Sequence, residues 1–291
     1  MSIAITDDHR SLADTVSSFA EKRDLRGAAR AKLESPDDAL PDFWDEFAEV
    51  GWLGLHLPED VGGSGYGVEE LVVVVEELAR AVAPGPFVPT VIAGAVVAAA
   101  GDDELRASLL PGFANGSTVA AVALGGSVTV SGATASGDAG VALGCGPASL
   151  LLVPAGDDVA IVEVGDGVTI DTPPSLDPTR RSARVTLDGA AATVISGARQ
   201  TLVDLARVIL AADAVGVARE CTDMGAAYSK ERIQFGRPIA MYQGVKHHCA
   251  NMAVATELAT SAVWDAARAA ATGGDQLSYA AAAAATLAAP A

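Results

Sequence analysis

Apolar positions recur at helical spacing over the first third of the chain, give way to short alternating runs in the middle, and return to helical spacing at the end. Leu12, Val16, Phe19 and Ala20 share one face of a first helix, and Phe43, Phe47 and Val50 form a second, shorter stripe. The stretch from Leu57 to Gly65 carries Pro58, Gly62, Gly63 and Gly65, and predicts a loop whose glycines supply positive φ. A helix is predicted over 68–82, ended by Pro84, Pro86 and Pro89. The segment 109–116 closes this helical region.

From Thr118 to about Ile195 the pattern changes. Runs at 128–130, 149–153, 159–164 and 183–187 are rich in Val, Leu, Ile and Thr and are separated by Gly, Asp and Pro. They predict strands of a small sandwich or barrel. The helical period then returns over 200–232 and 242–271, where Gly273 and Gly274 stop it, and again from Gln276 to the last residue. Blocks of helix, strand and helix argue for an α+β fold, not alternating βαβ units. The expected organisation is a helical domain over 1–118, a β domain over 119–196 and a helical domain over 197–291. The last helix meets the chain end with no partner after it, so this final bundle is expected to be incomplete.

Composition narrows the function. Half of the 291 residues are hydrophobic and mean hydropathy is +0.33, enough for a sizeable core, but only 4% are aromatic, so Ala, Val and Leu must build it. Nineteen Lys and Arg face 37 Asp and Glu, a formal net charge of -18 that repels nucleic acid and anionic membranes. An anionic ligand must therefore be met by locally placed arginines. Cys145, Cys221 and Cys249 lack metal-ligand spacing and are expected to be reduced thiols. Asp7, Asp8, His9 and Arg10 stand where a signal peptide would need an apolar run, and the apolar stretches 87–100 and 279–289 are too short to span a membrane. A cytoplasmic protein is expected.

The densest chemistry lies in Arg232-Ile233-Gln234-Phe235-Gly236-Arg237-Pro238-Ile239, followed by Gln243. Gly236 and Pro238 break the helical pattern, so Arg232 is expected at the end of one helix and Gln243 in the first turn of the next. A cation and an amide fixed at such a corner suit a diphosphate and a polar ring or ribose edge. Asp204 and Arg207 lie three apart on one helix face, which allows a simple helical ion pair. His247 and His248 diverge by about 100° on a helix and cannot together chelate one ion, so no metal site is expected. Gly62-Gly63-x-Gly65 has neither the preceding strand nor the lysine of a phosphate loop.

Several stretches, in order along the chain, resemble the acyl-CoA dehydrogenase family. Leu57-Pro58-Glu59-x-x-Gly62-Gly63-x-Gly65 and Glu76-Glu77-Leu78-Ala79 are similar to its N-terminal region. Asp177-Pro178-Thr179-Arg180 with Val185-x-Leu187-Asp188 is similar to the end of its β domain. Asp204-x-x-Arg207 and the stretch from Arg232 to Gln243 are similar to its C-terminal helical domain. The resemblance implies a flavoprotein oxidoreductase of lipid metabolism. It would carry out the FAD-dependent α,β-dehydrogenation of a CoA thioester in fatty-acid or steroid side-chain β-oxidation. It implies that Arg232, Gln234, Phe235, Gly236 and Gln243 serve the FAD, with Arg232 and Gln243 reaching the flavin of a neighbouring subunit. It implies that Asp204 and Arg207 serve the acyl-CoA, that other dehydrogenase subunits are partners, and that an electron-transfer flavoprotein is the acceptor.

The resemblance also fails in places. The reaction needs a carboxylate base at the α carbon. Where some members carry that Glu, just before the substrate arginine, this chain has Ala206; the other family position lies past Ala291. No residue of the chain is therefore assigned as catalytic. The stretches that correspond to the family's flavin-ring strands, 123–127 and 141–144, lack the acid, the Pro and the Trp. Two expectations follow: a member without its C-terminal part, or the reduced subunit of a heteromeric dehydrogenase that completes a partner's FAD site. A third, of another class, is a structural protein on this scaffold that binds no flavin.

Overall fold

The computed structural model describes residues 5–34 and 37–291. Six helices come first: α1 (Asp7–Lys22), α2 (Leu25–Glu34), α3 (Trp44–Glu49), α4 (Val68–Arg80), α5 (Phe87–Ala100) and α6 (Asp103–Ala114). Thr6 caps α1 by accepting the His9 N–H, and the His9 ring accepts the Thr6 N–H in return. Val16 and Ala20 are buried as their spacing predicts, with Phe43 and Phe47 beside them, but Val50 is half exposed because α3 ends at Glu49. α4 stops at Arg80, two residues short of the predicted end, since Val82 takes a positive φ of 54°. Pro89 ends nothing. It sits in the first turn of α5, where its missing N–H costs no helical bond. α5 is buried on every side from Phe87 to Val97, as a helix that is apolar all round must be.

The middle of the chain folds into seven strands: β1 (Ala120–Ala123), β2 (Ser127–Ser131), β3 (Thr134–Leu143), β4 (Leu150–Ala155), β5 (Asp158–Glu163), β6 (Val168–Asp171) and β7 (Ser182–Ile195). β1 and β4 are parallel, and the other pairings in this sheet are antiparallel. Because β3 pairs with both β1 and β7, the order β3-β1-β4-β5-β7 closes on itself as a small barrel. Its interior holds Ala121, Ala123, Leu151, Val153, Ala160 and Val162. The alternate residues of the same strands, Ala120, Val122, Leu150, Leu152, Val159 and Ile161, belong to the helical core. These three strands are apolar on both faces, so β1, β4 and β5 show continuous apolar runs, whereas β7 alternates with solvent. β3 escapes the sequence pattern because Gly137 and Gly140 interrupt it at irregular register.

Two long helices then lead away from the barrel and back: α7 (Arg199–Glu231) and α8 (Gln243–Ala270), joined by a hairpin of β8 (Ile233–Gln234) and β9 (Arg237–Pro238). α9 (Gly274–Ala288) packs on both. α7 crosses α4 at Gly216, where an added Cβ would stand 2.2 Å from the Glu76 carbonyl oxygen. Only glycine permits so close a crossing. The helices flanking one small barrel realise the α+β architecture that the change of period predicts.

Candidate functional site

The hairpin between α7 and α8 turns on Phe235 and Gly236, with φ of 51° and 78°. Positive φ at both central residues is the two-residue turn that matches strand twist, and it is uncommon for so bulky a residue as Phe. Arg232 ends α7, its N–H bonded to the Tyr228 carbonyl and its own carbonyl accepting from Ile239 at 2.9 Å. Gln243 is the first residue of α8, which begins without a side-chain cap. The break in the helical pattern thus becomes a tight reversal that holds Arg232 and Gln243 at one corner.

Tyr242 organises this corner, and sequence inspection overlooks it. Its hydroxyl donates to the Gln234 carbonyl at 3.0 Å, and the Arg237 guanidinium lies over its ring at 4.3 Å from the centroid. Phe235 meets the ring edge-on, with centroids 6.4 Å apart. An aromatic residue one position before the predicted helix start was the available signal. Arg232, Gln234, Phe235, Gly236 and Gln243 are all exposed, Phe235 at 93%. Neither Arg232 nor Arg237 has a carboxylate partner among the described residues. The uncapped start of α8 adds unpaired N–H groups and the positive end of a long helix. Two arginines without a carboxylate partner, an amide and a helix N-terminus thus stand together on a chain of net charge -18, an arrangement that suits an anion.

Asp204 and Arg207 lie elsewhere on α7. Asp204 is 2% exposed and fully engaged: Gln200 Nε2 donates to one carboxylate oxygen at 2.9 Å and Ser278 Oγ of α9 to the other at 2.5 Å. The Arg207 guanidinium stands 3.7 Å from the same carboxylate and its side chain is 42% exposed. The structure therefore keeps this pair together but apart from the hairpin corner. Ala206 is buried in the helical core. His247 and His248 are exposed, the former 3.5 Å from the Gln243 amide nitrogen. Cys145 is buried, and burial pushes its thiol up to about 12, which leaves it unreactive. Among the described residues no His, Cys, Asp or Glu cluster is placed to hold a metal, and no helix is long and apolar enough to cross a membrane.

Comparison with known proteins settles the family. Residues 6–117 match the acyl-CoA dehydrogenase N-terminal domain, and residues 196–290 match the acyl-CoA dehydrogenase C-terminal domain. The acyl-CoA dehydrogenase IpdE2 of Mycolicibacterium smegmatis is 32% identical over 262 residues, which cover 90% of this chain and 77% of IpdE2. The chain belongs to the acyl-CoA dehydrogenase family. The acyl-CoA dehydrogenase FadE34 of Mycobacterium tuberculosis is 38% identical over 99% of this chain, and the chain spans only 41% of its length. Among solved structures, the steroid ACAD Tcur3481-Tcur3483 superposes with a TM-score of 0.88 at 30% identity, covering 97% of this chain and 82% of that one.

The family's flavin can be tested against the residues present. The hairpin corner suits the phosphates and polar edge of a dinucleotide. The end of β3, which the resemblance sets against the ring, packs against the start of α5. Gly144 lies directly on α5, so that even an added Cβ would stand 2.6 Å from Pro89 Cγ and 3.3 Å from Pro86 Cβ. In this acyl-CoA dehydrogenase chain, the hairpin corner is thus the place whose residues suit the charged and polar edge of a dinucleotide.

Proposed function

We propose that this chain is a subunit of an acyl-CoA dehydrogenase assembly in which another chain holds most of the FAD. The exposed corner carries the proposal: Arg232 and Gln243, with Gln234, Phe235 and Gly236 between them, reach across a subunit boundary to the dinucleotide. The assembly oxidises a CoA thioester between its α and β carbons in fatty-acid or steroid side-chain β-oxidation, in the cytoplasm. It passes electrons to an electron-transfer flavoprotein. The steroid assignment draws on the similar ACAD, whose name joins two products, as a mixed assembly would. FAD would supply the hydride-accepting chemistry when bound. This chain's part is to bind and orient. Arg207 meets the polar CoA arm, and Asp204, held by Ser278 and Gln200, fixes the guanidinium's position.

The base must come from outside the described site. Ala206 presents only a buried methyl group, and Asp204, two residues earlier, has both carboxylate oxygens engaged within the α7–α9 packing. General-base help contributes roughly a hundred- to ten-thousand-fold, so the chain by itself should turn over acyl-CoA at a negligible rate. A second reading, a catalytically silent structural partner, is favoured by the same buried Ala206. Co-purification with the chain encoded beside it separates the two. The mixed assembly should carry flavin absorbance and dehydrogenate acyl-CoA with an artificial acceptor. Arg232→Ala should lower its flavin content several-fold while circular dichroism is unchanged. Equal flavin in variant and parent would count against the corner, and robust turnover by this chain alone would refute the shared-site proposal.

A further inference from the structure

The turn between α7 and α8 is too small to hold itself. β8 and β9 pair only Ile233 with Pro238 and Gln234 with Arg237, and Pro238 has no N–H to give the ladder. A two-stranded hairpin on its own is marginal in water even at ordinary length. This one also puts Phe235 in the left-handed region, at φ 51°, with a side chain so exposed that burial does not fix it. The other contacts of the hairpin converge on Tyr242. Its hydroxyl donates to Gln234 on β8, its ring lies under the Arg237 guanidinium on β9, and it meets Phe235 of the turn edge-on. The backbone of Tyr242 is fixed from both sides. Its N–H donates to the Ile239 carbonyl at 3.0 Å, and its carbonyl accepts from the Lys246 N–H, in the first turn of α8, at 3.1 Å. One side chain therefore ties both strands and the turn to the start of α8, beside Gln243.

We infer that Tyr242 and Arg237 are positioning residues: they clamp the hairpin so that Arg232 and Gln243 are presented together, and Arg237 does not itself meet the ligand. This rests on the reading that the corner takes a dinucleotide. The two arginines of the corner are not equivalent. The planar guanidinium of Arg237 is held on the face of Tyr242. Arg232 has neither a ring nor a carboxylate as partner among the described residues. For Arg237 to reach a diphosphate it would have to leave the ring, and β9 would lose the contact that holds it to α8. The Ile239 N–H, which follows β9, donates to the Arg232 carbonyl at 2.9 Å, so a loosened β9 releases Arg232 as well. A corner ordered in advance loses less freedom when a ligand arrives, and the clamp contributes to affinity in that way without touching the ligand.

Amide hydrogen exchange of the purified chain, followed by NMR, tests the clamp. The Ile239 N–H should exchange about tenfold faster in Tyr242→Leu and in Arg237→Ala. Tyr242→Phe keeps the ring under the guanidinium and should stay within about threefold of the parent. FAD binding by the mixed assembly tests the role. Tyr242→Leu should weaken it about tenfold, and Tyr242→Phe should recover most of the loss. Adding Arg232→Ala to Tyr242→Leu should cost little more than either change alone, because both act through Arg232. Additive losses would overturn the inference, since Tyr242 or Arg237 would then meet the ligand independently. So would unchanged Ile239 exchange in Tyr242→Leu. Full FAD binding in Tyr242→Leu, with a loss in Arg232→Ala, would overturn the inference alone. Full binding in both variants would overturn the dinucleotide reading of the corner, and the inference with it.

Discussion

The two halves of α7 are one continuous helix in two environments. From Leu202 to Ala218 it threads the core, and its carboxylates there are tied to the rest of the chain: Asp204 to α9 and Asp213 to Arg180, with Arg219, just beyond, bound to Glu76 at 3.1 Å. Further on it exposes Met224 and Tyr228 at 57% and 59%, and then delivers Arg232 to the corner without a carboxylate partner. α8 continues the exposed side with Val254 and Leu258, at 60% and 54%. Close packing marks the half that holds the chain together. In the other half, cations without a carboxylate partner stand beside exposed apolar side chains, the kind of surface that a second subunit covers under the proposal. Arginine alone therefore does not mark a ligand site; its partner decides.

The largest effect that would test this contrast lies at the α4–α7 crossing. Burial pushes the Glu76 carboxyl above its ordinary range, and Arg219 pulls it back only in part. Arg219→Ala should cost about 3 kcal/mol at neutral pH, because Glu76 is left charged and nearly buried. Glu76→Gln in the same chain should restore most of it. A raised folded-state value means the folded chain holds this proton more tightly than the unfolded one. Stability is therefore best below the ordinary carboxylate range and falls as pH rises through the folded-state value. Arg219→Ala should steepen that fall, and urea unfolding across pH would show it. A flat difference between variant and parent would mean the pair does not couple.

A smaller loss is expected at Asp204. Asp204→Ala removes the acceptor of Ser278 and Gln200 and should cost about 2 kcal/mol. It should also raise hydrogen exchange in α9 ahead of α8. Protection of α9 equal to the parent would show that the aliphatic contacts alone dock it. The smallest effect belongs to the outer half. Met224→Ser with Tyr228→Ser should change the chain's own unfolding free energy by less than about 0.5 kcal/mol. The same pair should weaken association with a second subunit, measured by sedimentation. A large loss of monomer stability would erase the distinction between the halves.

Much of this was legible because it is local. The change from a period of 3.6 to 2 and back follows from which faces are buried, so the α+β architecture and the long helices could be located within a few residues. The break at Gly236 and Pro238 lies in adjacent residues, and so the corner of Arg232 and Gln243 was visible. β3 was not, because its glycines and alanines pack by fitting close to neighbours and not by hydrophobic size.

By itself, then, the sequence determined the blocks of structure, the acidic surface that demands local arginines, and the corner at which two of them stand. Only the tertiary structure decided which arginines are free. Arg180 and Asp213 are 33 residues apart, and Asp204 and Ser278 are 74 apart. Pairings of that kind depend on how helices cross and on which backbones approach, as Gly216 allows at α4 and Gly144 allows at α5. A chain pattern encodes burial period by period, but charge neutralisation is settled between segments that meet only when folded.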